Sequence, residues 1–422
     1  MLDLKYLREN EAVVRTALEN RRAEVDLDGL LKMDRERRQA LQEVEALKKE
    51  RNTVSKEIGR RKKEGEDTAD QQARMREVGQ RIGALDHENR ERDEALAQRL
   101  LTLPNIPSSR APIGPDETAN LVVRHVGEQR PFDFEPRPHV ELAESLRLVD
   151  FTRAARMSGA GFALYTGVGA RLERALIQFM LDMHTREHGY TEVSPPFVCN
   201  TEAMTGTGQI PKMAEDMYTI PEDGLYLIPT AEVPVTNMHR DEIIDAPLPL
   251  AYVAYTPCFR REAGAAGRDT RGLIRMHQFD KVELVRFVEP ETSYDELEAL
   301  VGQAEAVLQR LELPYRVLEL CTGDLSFAAA RCYDIELWAP GQKDWLEVSS
   351  CSNFEDFQAR RAGIRYRTET GRPRFVHTLN GSGVALARLF VAILENGQEA
   401  DGSVTLPAAL VPYMGGLERI EL

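Results

Sequence analysis

The chain has 422 residues, of which 42% are hydrophobic and 29% are charged, a composition typical of a folded globular protein and not of a disordered one. At roughly 150 residues per domain, this length predicts two or three domains. The formal net charge is −15, which argues against a protein that coats nucleic acid nonspecifically, because such proteins need a broad basic surface. A local basic patch is compatible with this charge.

The N-terminus and the cysteines bear on location. The first residues, Met1 to Lys5, lack the apolar core of a signal peptide, and no later run reaches about 18 uninterrupted apolar residues. We therefore expect neither a secreted nor a membrane-bound protein. The five cysteines are widely spaced and form no Cys-x-x-Cys pair, so we expect buried thiols in a reducing compartment, the cytoplasm, and no zinc.

Two long helical patterns stand out in the first 110 residues, which hold 24 Lys and Arg and 23 Asp and Glu. One runs from about Leu27 to Lys63, and the other follows the short break at 64–68. Apolar residues recur at steps of three and four: Val44, Leu47, Val54, Ile58, Met75, Val78, Ile82, Leu85, Leu96 and Leu103. Polar residues take the remaining places of the pattern: Arg51, Asn89, Arg92 and Arg99. This heptad spacing predicts an antiparallel helical hairpin about 50 Å long.

The end of the first helix carries Arg60-Arg61-Lys62-Lys63. This run has two interpretations. It is either a solvated charge run that favours a helix C-terminus, or a contact for phosphates. A projecting hairpin with a basic end shifts the balance toward nucleic acid.

Prolines between 104 and 115 separate this region from a mixed α and β sequence, so we predict an N-terminal domain over 1–103 with a hairpin arm at about 27–100, a linker over 104–120 and a second domain over 121–422. Strand patterns lie at 225–228, 250–255, 277–288, 333–338 and 345–348, and helix patterns at about 170–188 and 384–395. Strands often follow one another without a crossover helix, which favours a largely antiparallel sheet and an α+β fold.

The glycine-rich segments do not match the motifs of the Rossmann or P-loop nucleotide-binding folds. Gly159-Ala160-Gly161 and Gly167-Val168-Gly169 lack a third glycine at the dinucleotide spacing, and no P-loop pattern occurs. The informative segment instead runs from Phe259-Arg260-Arg261-Glu262 through a glycine-containing loop, 263–274, to Arg275. Two guanidinium groups that face one pocket would repel unless a polyanion lay between them, and arginine suits phosphate. A surface hairpin with paired charges explains the spacing equally well.

A second informative segment is Gly381-Ser382-Gly383, which leads into an apolar helix with Arg388 about two turns along. Glycines here would let the backbone approach a ligand closely. A buried arginine needs a partner, so a structural ion pair is the alternative to a ligand contact.

Taken together, these segments resemble class II aminoacyl-tRNA synthetases of the bacterial seryl-tRNA synthetase type. The hairpin Phe259–Arg275 and the segment Gly381–Arg388 are similar to motifs two and three, and Gly189–Pro196 is similar to motif one, which forms the dimer interface in that class. Further similar segments lie at 230–232, 256–260, 276–279, 347–353 and 377–382, so that the resemblance spans the chain.

The resemblance implies activation of L-serine with ATP to seryl-adenylate, and transfer of the seryl group to the terminal adenosine of a serine-accepting tRNA. Arg260 and Arg388 are the implied catalytic residues, on the α- and γ-phosphates. The implied ATP-binding residues are Arg260, Arg261, Glu262, Arg275, Met276, Phe279, Glu347, Val348, Ser349, Ser350 and Arg388. Glu347 and Ser350 would hold Mg²⁺, since a hard cation suits oxygen ligands. The implied serine-binding residues are Thr230, Ala231, Glu232, Glu283, Asn380 and Ser382.

The implied partners are a homodimer mate and the long variable arm of tRNA(Ser), which the hairpin would contact, with Arg51, Arg60, Arg61, Lys62 and Lys63 as candidates. A selenocysteine tRNA as a second acceptor stays open, as does closure of the loop 205–213 over the substrate. Two alternatives remain at this point. One is a relative that has lost catalysis and serves as a coiled-coil scaffold or an RNA-binding regulator, and the other is an enzyme of the same class that uses another small amino acid or charges a carrier protein.

Overall fold

The structure is a computed structural model that describes residues 1–263 and 272–422 and divides into two compact units. The first unit comprises Met1–Glu19 and Ala23–Pro104, and the second comprises Asn20–Arg22 and Asn105–Leu422. Gly264 and Gly267 of the predicted loop lie outside the described residues. The domain boundaries at 103, 104–120 and 121 stay predictions.

The first unit is helical. Two short helices, α1 (Leu4–Glu9) and α2 (Glu11–Asn20), precede two long ones, α3 (Leu27–Lys63) and α4 (Ala69–Leu101). Asp26 caps α3 by accepting a hydrogen bond from the backbone N–H of Gly29 at 2.9 Å. The predicted first helix is therefore confirmed at both ends.

Ion pairs between α3 and α4 show that the two helices are antiparallel. Lys48 contacts Asp86 at 3.2 Å, and Arg74, farther back along α4, contacts Glu50, farther forward along α3, at 2.6 Å. This confirms the predicted antiparallel hairpin. It also shows that part of the dense charge of this region forms cross-helix pairs on exposed faces, each of which stabilises the fold only weakly.

Burial along the apolar seam is uneven. The seam residues Val44, Met75, Ile82, Leu85 and Leu96 are buried, whereas Leu47, Val54, Val78 and Ile58 are only partly buried. A two-helix hairpin offers each seam residue a single partner helix, so some seam residues stay partly exposed. Leu103 is buried but follows the end of α4 at Leu101, so its assignment to the second helical pattern is wrong. Proline at 104 accounts for the early end.

The basic residues at the end of α3 are paired with nearby acids. Arg60 contacts Glu57 at 2.6 Å and Glu64 at 3.0 Å, and Arg61 contacts Glu66 at 2.5 Å. Lys62 donates to Gln72 at 3.5 Å, Lys63 is exposed, and Arg51 is half-buried. These contacts fit the charge-run interpretation, and exposed pairs of this kind exchange readily for a phosphate partner. Contact of these residues with tRNA stays a prediction.

The second unit is built on sheets. Its strands are β1 (Leu121–Val126), β2 (Thr191–Glu192), β3 (Val198–Asn200), β4 (Thr219–Ile220), β5 (Leu225–Leu227), β6 (Ile243–Ile244), β7 (Leu250–Phe259), β8 (Gln278–Val288), β9 (Tyr315–Glu319), β10 (Arg331–Ala339), β11 (Asp344–Asn353), β12 (Arg365–Arg367), β13 (Pro373–Phe375), β14 (His377–Ala385), β15 (Val404–Thr405) and β16 (Arg419–Ile420). The main sheet has eight strands in the order β1-β9-β10-β11-β14-β8-β7-β2. All of its pairs are antiparallel except β2 with β7.

The helices of this unit are α5 (His139–Ser145), α6 (Phe151–Ser158), α7 (Val168–Arg186), α8 (Thr201–Thr207), α9 (Glu232–Asn237), α10 (Ser293–Arg310), α11 (Phe357–Ala362) and α12 (Leu386–Gly397). Apolar residues of α5, α7, α10 and α12 form one large core with the sheet. The predicted α+β fold with a largely antiparallel sheet is thus confirmed. None of the helices within 1–263 and 272–422 combines the length and apolarity that a bilayer crossing requires.

Strand β8 shows how the sheet divides its two faces. Because successive side chains of a strand point to opposite faces, Val282 and Leu284 enter the core beneath the helices, whereas Phe279, Lys281 and Glu283 line a cavity on the other face. Charged residues at alternate positions of a central strand are therefore a signature of this cavity wall.

Candidate active site

A cavity of about 560 Å³ lies over β8, β11 and β14 and the start of α12, next to Arg260, which follows β7. Fourteen of the residues implied for ATP or serine line it: Thr230, Glu232, Arg260, Glu262, Arg275, Met276, Phe279, Glu283, Glu347, Val348, Ser350, Asn380, Ser382 and Arg388. Residues from segments more than a hundred positions apart therefore meet at one wall, as the resemblance requires.

Three predicted residues do not reach the cavity wall. Arg261 is exposed, and its backbone N–H donates to the carbonyl of Asp216 at 2.9 Å. Ser349 is buried and its hydroxyl donates to the carbonyl of Ser382 at 2.6 Å, so it supports the wall from behind. Ala231 is fully buried in a small apolar cluster with α11. These three residues therefore shape the site without facing it.

Arg260 follows the last residue of β7, and the backbone of the β7–β8 connection holds it in place. Its N–H donates to the carbonyl of His277 at 2.9 Å, and its Nε donates to the carbonyl of Pro229 at 3.3 Å. The guanidinium carbon lies 5.1 Å from the centroid of the Phe279 ring, within the range of a cation–π contact. A cation and an aromatic face are thus presented side by side at the cavity wall.

Arg275 and Arg388 supply the other two guanidinium groups. Arg275 forms an ion pair with Glu262 across the two stems of the hairpin. Arg388 donates from Nε to the carbonyl of Ile274 at 3.2 Å and from Nη1 to the carbonyl of Glu347 at 2.6 Å. It also lies 3.6 Å from the Glu347 carboxylate. These arginines therefore have the partners that the structural alternatives predict, and they also line a shared cavity. Their contact with a ligand stays a prediction.

The helix that carries Arg388 starts later than predicted. α12 begins at Leu386, so Arg388 lies in its first turn and not two turns along. Ala385 precedes the helix and provides no side-chain cap, and both Ala385 and Ala387 line the cavity. The backbone N–H groups of a first turn and the positive dipole end of a helix favour an anion at this place. The cavity therefore gains positive potential from the backbone as well as from arginine.

Gly381 and Gly383 have a packing role besides the predicted approach to a ligand, which stays a prediction. A Cβ atom on Gly381 would lie 2.7 Å from Leu300 of α10, and one on Gly383 would lie 2.9 Å from His184 of α7. The glycines therefore let helices pack closely on the far face of the sheet. Gly383 also lies in a bulge of β14, and the register beside it places Ser382 opposite Glu283.

Two buried carboxylates occupy the part of the cavity implied for serine. Glu283 is 2% exposed, contacts Lys281 at 2.5 Å and accepts a hydrogen bond from Thr230 Oγ1 at 3.1 Å. Glu232 accepts a hydrogen bond from Gln358 Nε2 at 2.6 Å. Burial, together with the neighbouring Glu283 carboxylate, raises the pKa of Glu232 to about 7. The site thus contains one carboxylate with a cation partner and one that is partly protonated near neutrality.

This raised pKa makes a prediction about stability. Because the folded pKa of Glu232 exceeds the ordinary value of 4.5, burial of the charged form costs free energy, and stability falls as the pH rises from 4.5 through about 7. The contribution is up to about 3 kcal/mol. Glu232→Gln removes it, so we expect the Tm of the variant to rise relative to the unmodified protein between about pH 5 and pH 8.

Thermal unfolding of both proteins over this pH range, without ligands, tests the prediction. Glu222→Gln is a matched control, because Glu222 is exposed. A Tm difference between the Glu232→Gln variant and the unmodified protein that stays constant with pH would contradict the assignment.

Glu347 and Ser350 line the cavity on β11, and the Glu347 side chain is 48% exposed. Ser350 Oγ lies 3.1 Å from the thiol of Cys332, and Asp334 is its register partner on β10. Burial and the nearby Glu347 carboxylate raise the pKa of Asp334 well above its usual range. Within 1–263 and 272–422, no group of three His, Cys, Asp or Glu side chains is arranged around a metal. One carboxylate and one hydroxyl still suit Mg²⁺, which keeps several waters and binds through phosphates.

Several lining residues were not predicted. Lys281 is the most informative, because its place two residues from both Phe279 and Glu283 on a strand puts all three on one face. That alternation was visible in the sequence. Phe327, Phe354, Gln209 and others come from loops, where no periodicity signals a position. Four lining residues belong to the segment 205–213 for which closure was a hypothesis: Thr207 at the end of α8, and Gly208, Gln209 and Met213 after it.

Comparison with known proteins agrees with this geometry. A family model described as the seryl-tRNA synthetase N-terminal domain matches residues 1–107, and one described as the tRNA synthetase class II core domain (G, H, P, S and T) matches residues 217–397. Serine–tRNA ligases from Geotalea uraniireducens (strain Rf4) and Geobacter sulfurreducens are 58% and 56% identical over 422 residues, with complete coverage of both chains.

The structural comparison gives the same result. The crystal structure of seryl-tRNA synthetase from Pyrococcus horikoshii complexed with ATP is 42% identical, covers 100% of this chain and 99% of that chain, and superposes with a TM-score of 0.95. The cytoplasmic serine–tRNA ligase of Naegleria fowleri in complex with AMP is 28% identical, with a TM-score of 0.91 and coverage of 100% of this chain and 99% of that chain.

Proposed function

The chain belongs to the seryl-tRNA synthetase family of class II aminoacyl-tRNA synthetases, and on this basis we propose how its cavity carries out the reaction of a serine–tRNA ligase. The resemblance predicted from the sequence motifs is confirmed over the whole chain. The two alternatives, a relative without catalysis and an enzyme for another amino acid or carrier, have no comparable support among these relatives.

One observation carries the assignment of the site: Arg260, Arg388 and Glu347 line a single cavity together with the buried Glu232 and Glu283. Cationic groups suit a polyphosphate, and buried carboxylates suit the ammonium and hydroxyl groups of a small amino acid. Serine and ATP can therefore bind side by side, with the serine carboxylate directed at the α-phosphorus of ATP. The relative crystallised with ATP supports ATP as the nucleotide.

In the proposed first step, an oxygen of the serine carboxylate attacks the α-phosphorus of ATP. The bond from that phosphorus to the bridging oxygen breaks, and pyrophosphate leaves with the electron pair. Charge on the phosphate oxygens rises in the transition state, so donors already in place accelerate the step. Arg260 would contact the α-phosphate and Arg388 the γ-phosphate, while the first turn of α12 adds its backbone dipole.

The nucleotide base would bind on the aromatic side of the cavity. Phe279 offers a ring for stacking on adenine, and its cation–π contact with Arg260 fixes the ring beside the phosphate site. Glu262 would accept a hydrogen bond from the adenine edge, and the Met276 backbone would contact the base. The ion pair with Arg275 keeps the Glu262 carboxylate in place.

Glu347 and Ser350 would hold Mg²⁺ beside the phosphates, and such an ion would neutralise charge on the leaving pyrophosphate. The contact of Arg388 with both the carbonyl and the carboxylate of Glu347 couples the guanidinium to that carboxylate. Arg388 therefore orients Glu347 toward the phosphate site as well as supplying charge itself.

In the proposed second step, a ribose hydroxyl of the terminal adenosine of tRNA attacks the seryl carbonyl carbon and loses its proton to solvent. The bond from that carbon to the phosphate oxygen breaks, and AMP leaves with the electron pair. The tRNA would be tRNA(Ser), with its long variable arm on the α3–α4 hairpin, and the working enzyme would be a homodimer. We place the enzyme in the cytoplasm. The five cysteines are unpaired and buried, which suits a reducing compartment.

Amino-acid-dependent exchange of pyrophosphate into ATP tests the proposed substrate. We expect serine to support exchange and alanine to be at least about a thousandfold poorer in kcat/KM, because loss of the hydroxyl leaves buried polar groups unpaired. Glycine should fail for the same reason, and threonine should be refused sterically. Exchange with alanine, glycine or threonine that matched exchange with serine would contradict the proposal.

A further inference from the structure

His139 is a buried histidine outside the cavity wall, at the start of α5, with 1% exposure. Its Nε2 accepts a hydrogen bond from the backbone N–H of Leu273 at 3.1 Å. Since a backbone amide can only donate, Nε2 carries no proton, and the ring proton lies on Nδ1. Nδ1 faces Glu395 Oε1 at 3.3 Å, and the N–H of His139 donates to the same oxygen at 2.8 Å.

Glu395 is itself held from several sides. It is fully buried on α12, and its Oε2 accepts hydrogen bonds from the N–H groups of Gly341 at 2.8 Å and Gln342 at 3.1 Å. The Gln342 side chain donates to Oε1 at 3.2 Å. A carboxylate with this many donors has little freedom, so it fixes both the tautomer and the orientation of the His139 ring.

The other side of the ring touches the stem that leads to Arg275, residues 272–275. Gly272 has a φ of +72°, and a Cβ atom there would lie 2.2 Å from Nε2 of His139, so the stem backbone passes directly over the ring edge. Leu273, Ile274 and Arg275 all line the cavity. The carbonyl of Ile274 accepts the hydrogen bond from Nε of Arg388 at 3.2 Å.

These contacts link α12 to the stem 272–275 at two places. Arg388 and Glu395 are seven residues apart, which is about two helical turns, so they lie on the same side of the helix. Arg388 contacts the stem directly at Ile274, and Glu395 contacts it at Leu273 through His139. The helix thus holds two consecutive stem residues at two points.

We propose that His139 is a positioning residue for the ATP side of the site: with Glu395 it holds the stem 272–275 in the place that orients Arg388 and directs Arg275 into the cavity. The inference rests on the proposed roles of these arginines in ATP binding. It assigns to His139 no contact with substrate. Its effect should therefore be confined to the parameters of ATP.

Two variants separate the functions of the two ring nitrogens. In His139→Asn the amide nitrogen takes the place of Nδ1 and can donate to Glu395, but nothing accepts from Leu273. In His139→Gln the longer amide places an acceptor near the position of Nε2. We expect His139→Asn to lower kcat/KM for ATP in serine-dependent exchange by about tenfold or more, because small misplacements of aligned groups are costly. KM for serine should stay within about twofold, and His139→Gln should recover most of the activity.

Hydrogen–deuterium exchange of the Leu273 amide gives a readout independent of activity. We expect slow exchange in the unmodified protein and in His139→Gln, and fast exchange in His139→Asn. Equal losses of kcat/KM for ATP in the two variants would overturn the proposal. So would equal losses of kcat/KM for ATP and for serine in His139→Asn. If His139→Asn does not fold, unprotected exchange at Leu273 in the unmodified protein would still overturn it. Absence of any serine-dependent exchange in the unmodified protein would instead refute the proposed function and leave the Leu273 measurement to decide the contact.

Discussion

Arg388→Ala is expected to lower serine-dependent ATP–pyrophosphate exchange by about a thousandfold, the loss typical of a preorganised group that stabilises transition-state charge. The substitution removes a guanidinium from the cavity and also the donor to the carbonyl groups of Ile274 and Glu347. Two parts of the site, the stem and the acidic residue implied for Mg²⁺, would therefore lose their common partner.

Arg388→Lys distinguishes charge from geometry. An ammonium keeps the charge but lacks the planar fork that reaches both carbonyl groups, so we expect activity between those of Arg388→Ala and the unmodified enzyme. Arg374→Ala is a matched control, because Arg374 is an arginine of the same unit that pairs with Glu291 away from the cavity. Near-normal exchange in a folded Arg388→Ala variant would remove Arg388 from the site.

Removal of the hairpin between about Leu31 and Arg99 is expected to abolish charging of tRNA while serine-dependent exchange remains largely intact. The reason is that the cavity is lined by residues between Thr207 and Arg388, all of them in the second unit. The hairpin helices belong to the first unit, where Val44, Ile82 and Leu85 are buried. Adenylate formation should therefore not need them.

The measurement compares exchange and tRNA charging on the same preparation. Alanine replacement of Arg60, Arg61, Lys62 and Lys63 in the full chain serves as a milder variant, and we expect it to weaken tRNA binding and reduce its dependence on salt. If the shortened protein is folded but has lost exchange as well, the assignment of separate roles to the two units is wrong.

The amino-acid sequence predicted much of the local structure, because periodicity is a local property. The helical pattern at 27–63 identified α3 to within a residue at each end, and the strand pattern at 277–288 identified β8. Predictions were less accurate where tertiary contacts decide the boundary. The helix pattern at 384–395 began too early, since β14 continues through Ala385 to pair with β8 before the helix can start.

At the candidate site, too, some residues could be predicted from the sequence and others could not. The resemblance to the family motifs identified fourteen lining residues. It could do so because proteins that share a fold keep their site residues in the same order along the chain. It also included Arg261, Ser349 and Ala231, which lie beside lining residues in sequence and face elsewhere. Ser349 lies on β11, where adjacent side chains point to opposite faces, so a contiguous motif there includes a side chain that does not reach the cavity. Arg261 and Ala231 lie outside the strands, where no periodicity indicates which way a side chain faces.

The order of residues along the chain was enough to predict the α+β class, the antiparallel hairpin, the family and the residue types needed for phosphate, metal and serine. The partners that hold those residues became known from the folded chain: Gln358 on Glu232, Lys281 on Glu283, and His139 with Glu395 behind the stem of Arg275. The fold likewise showed that Gly381 and Gly383 let helices pack closely on the sheet. This division arises because periodicity and motif order are encoded between near neighbours, whereas burial, pKa and hydrogen-bond partners depend on segments far apart in the chain.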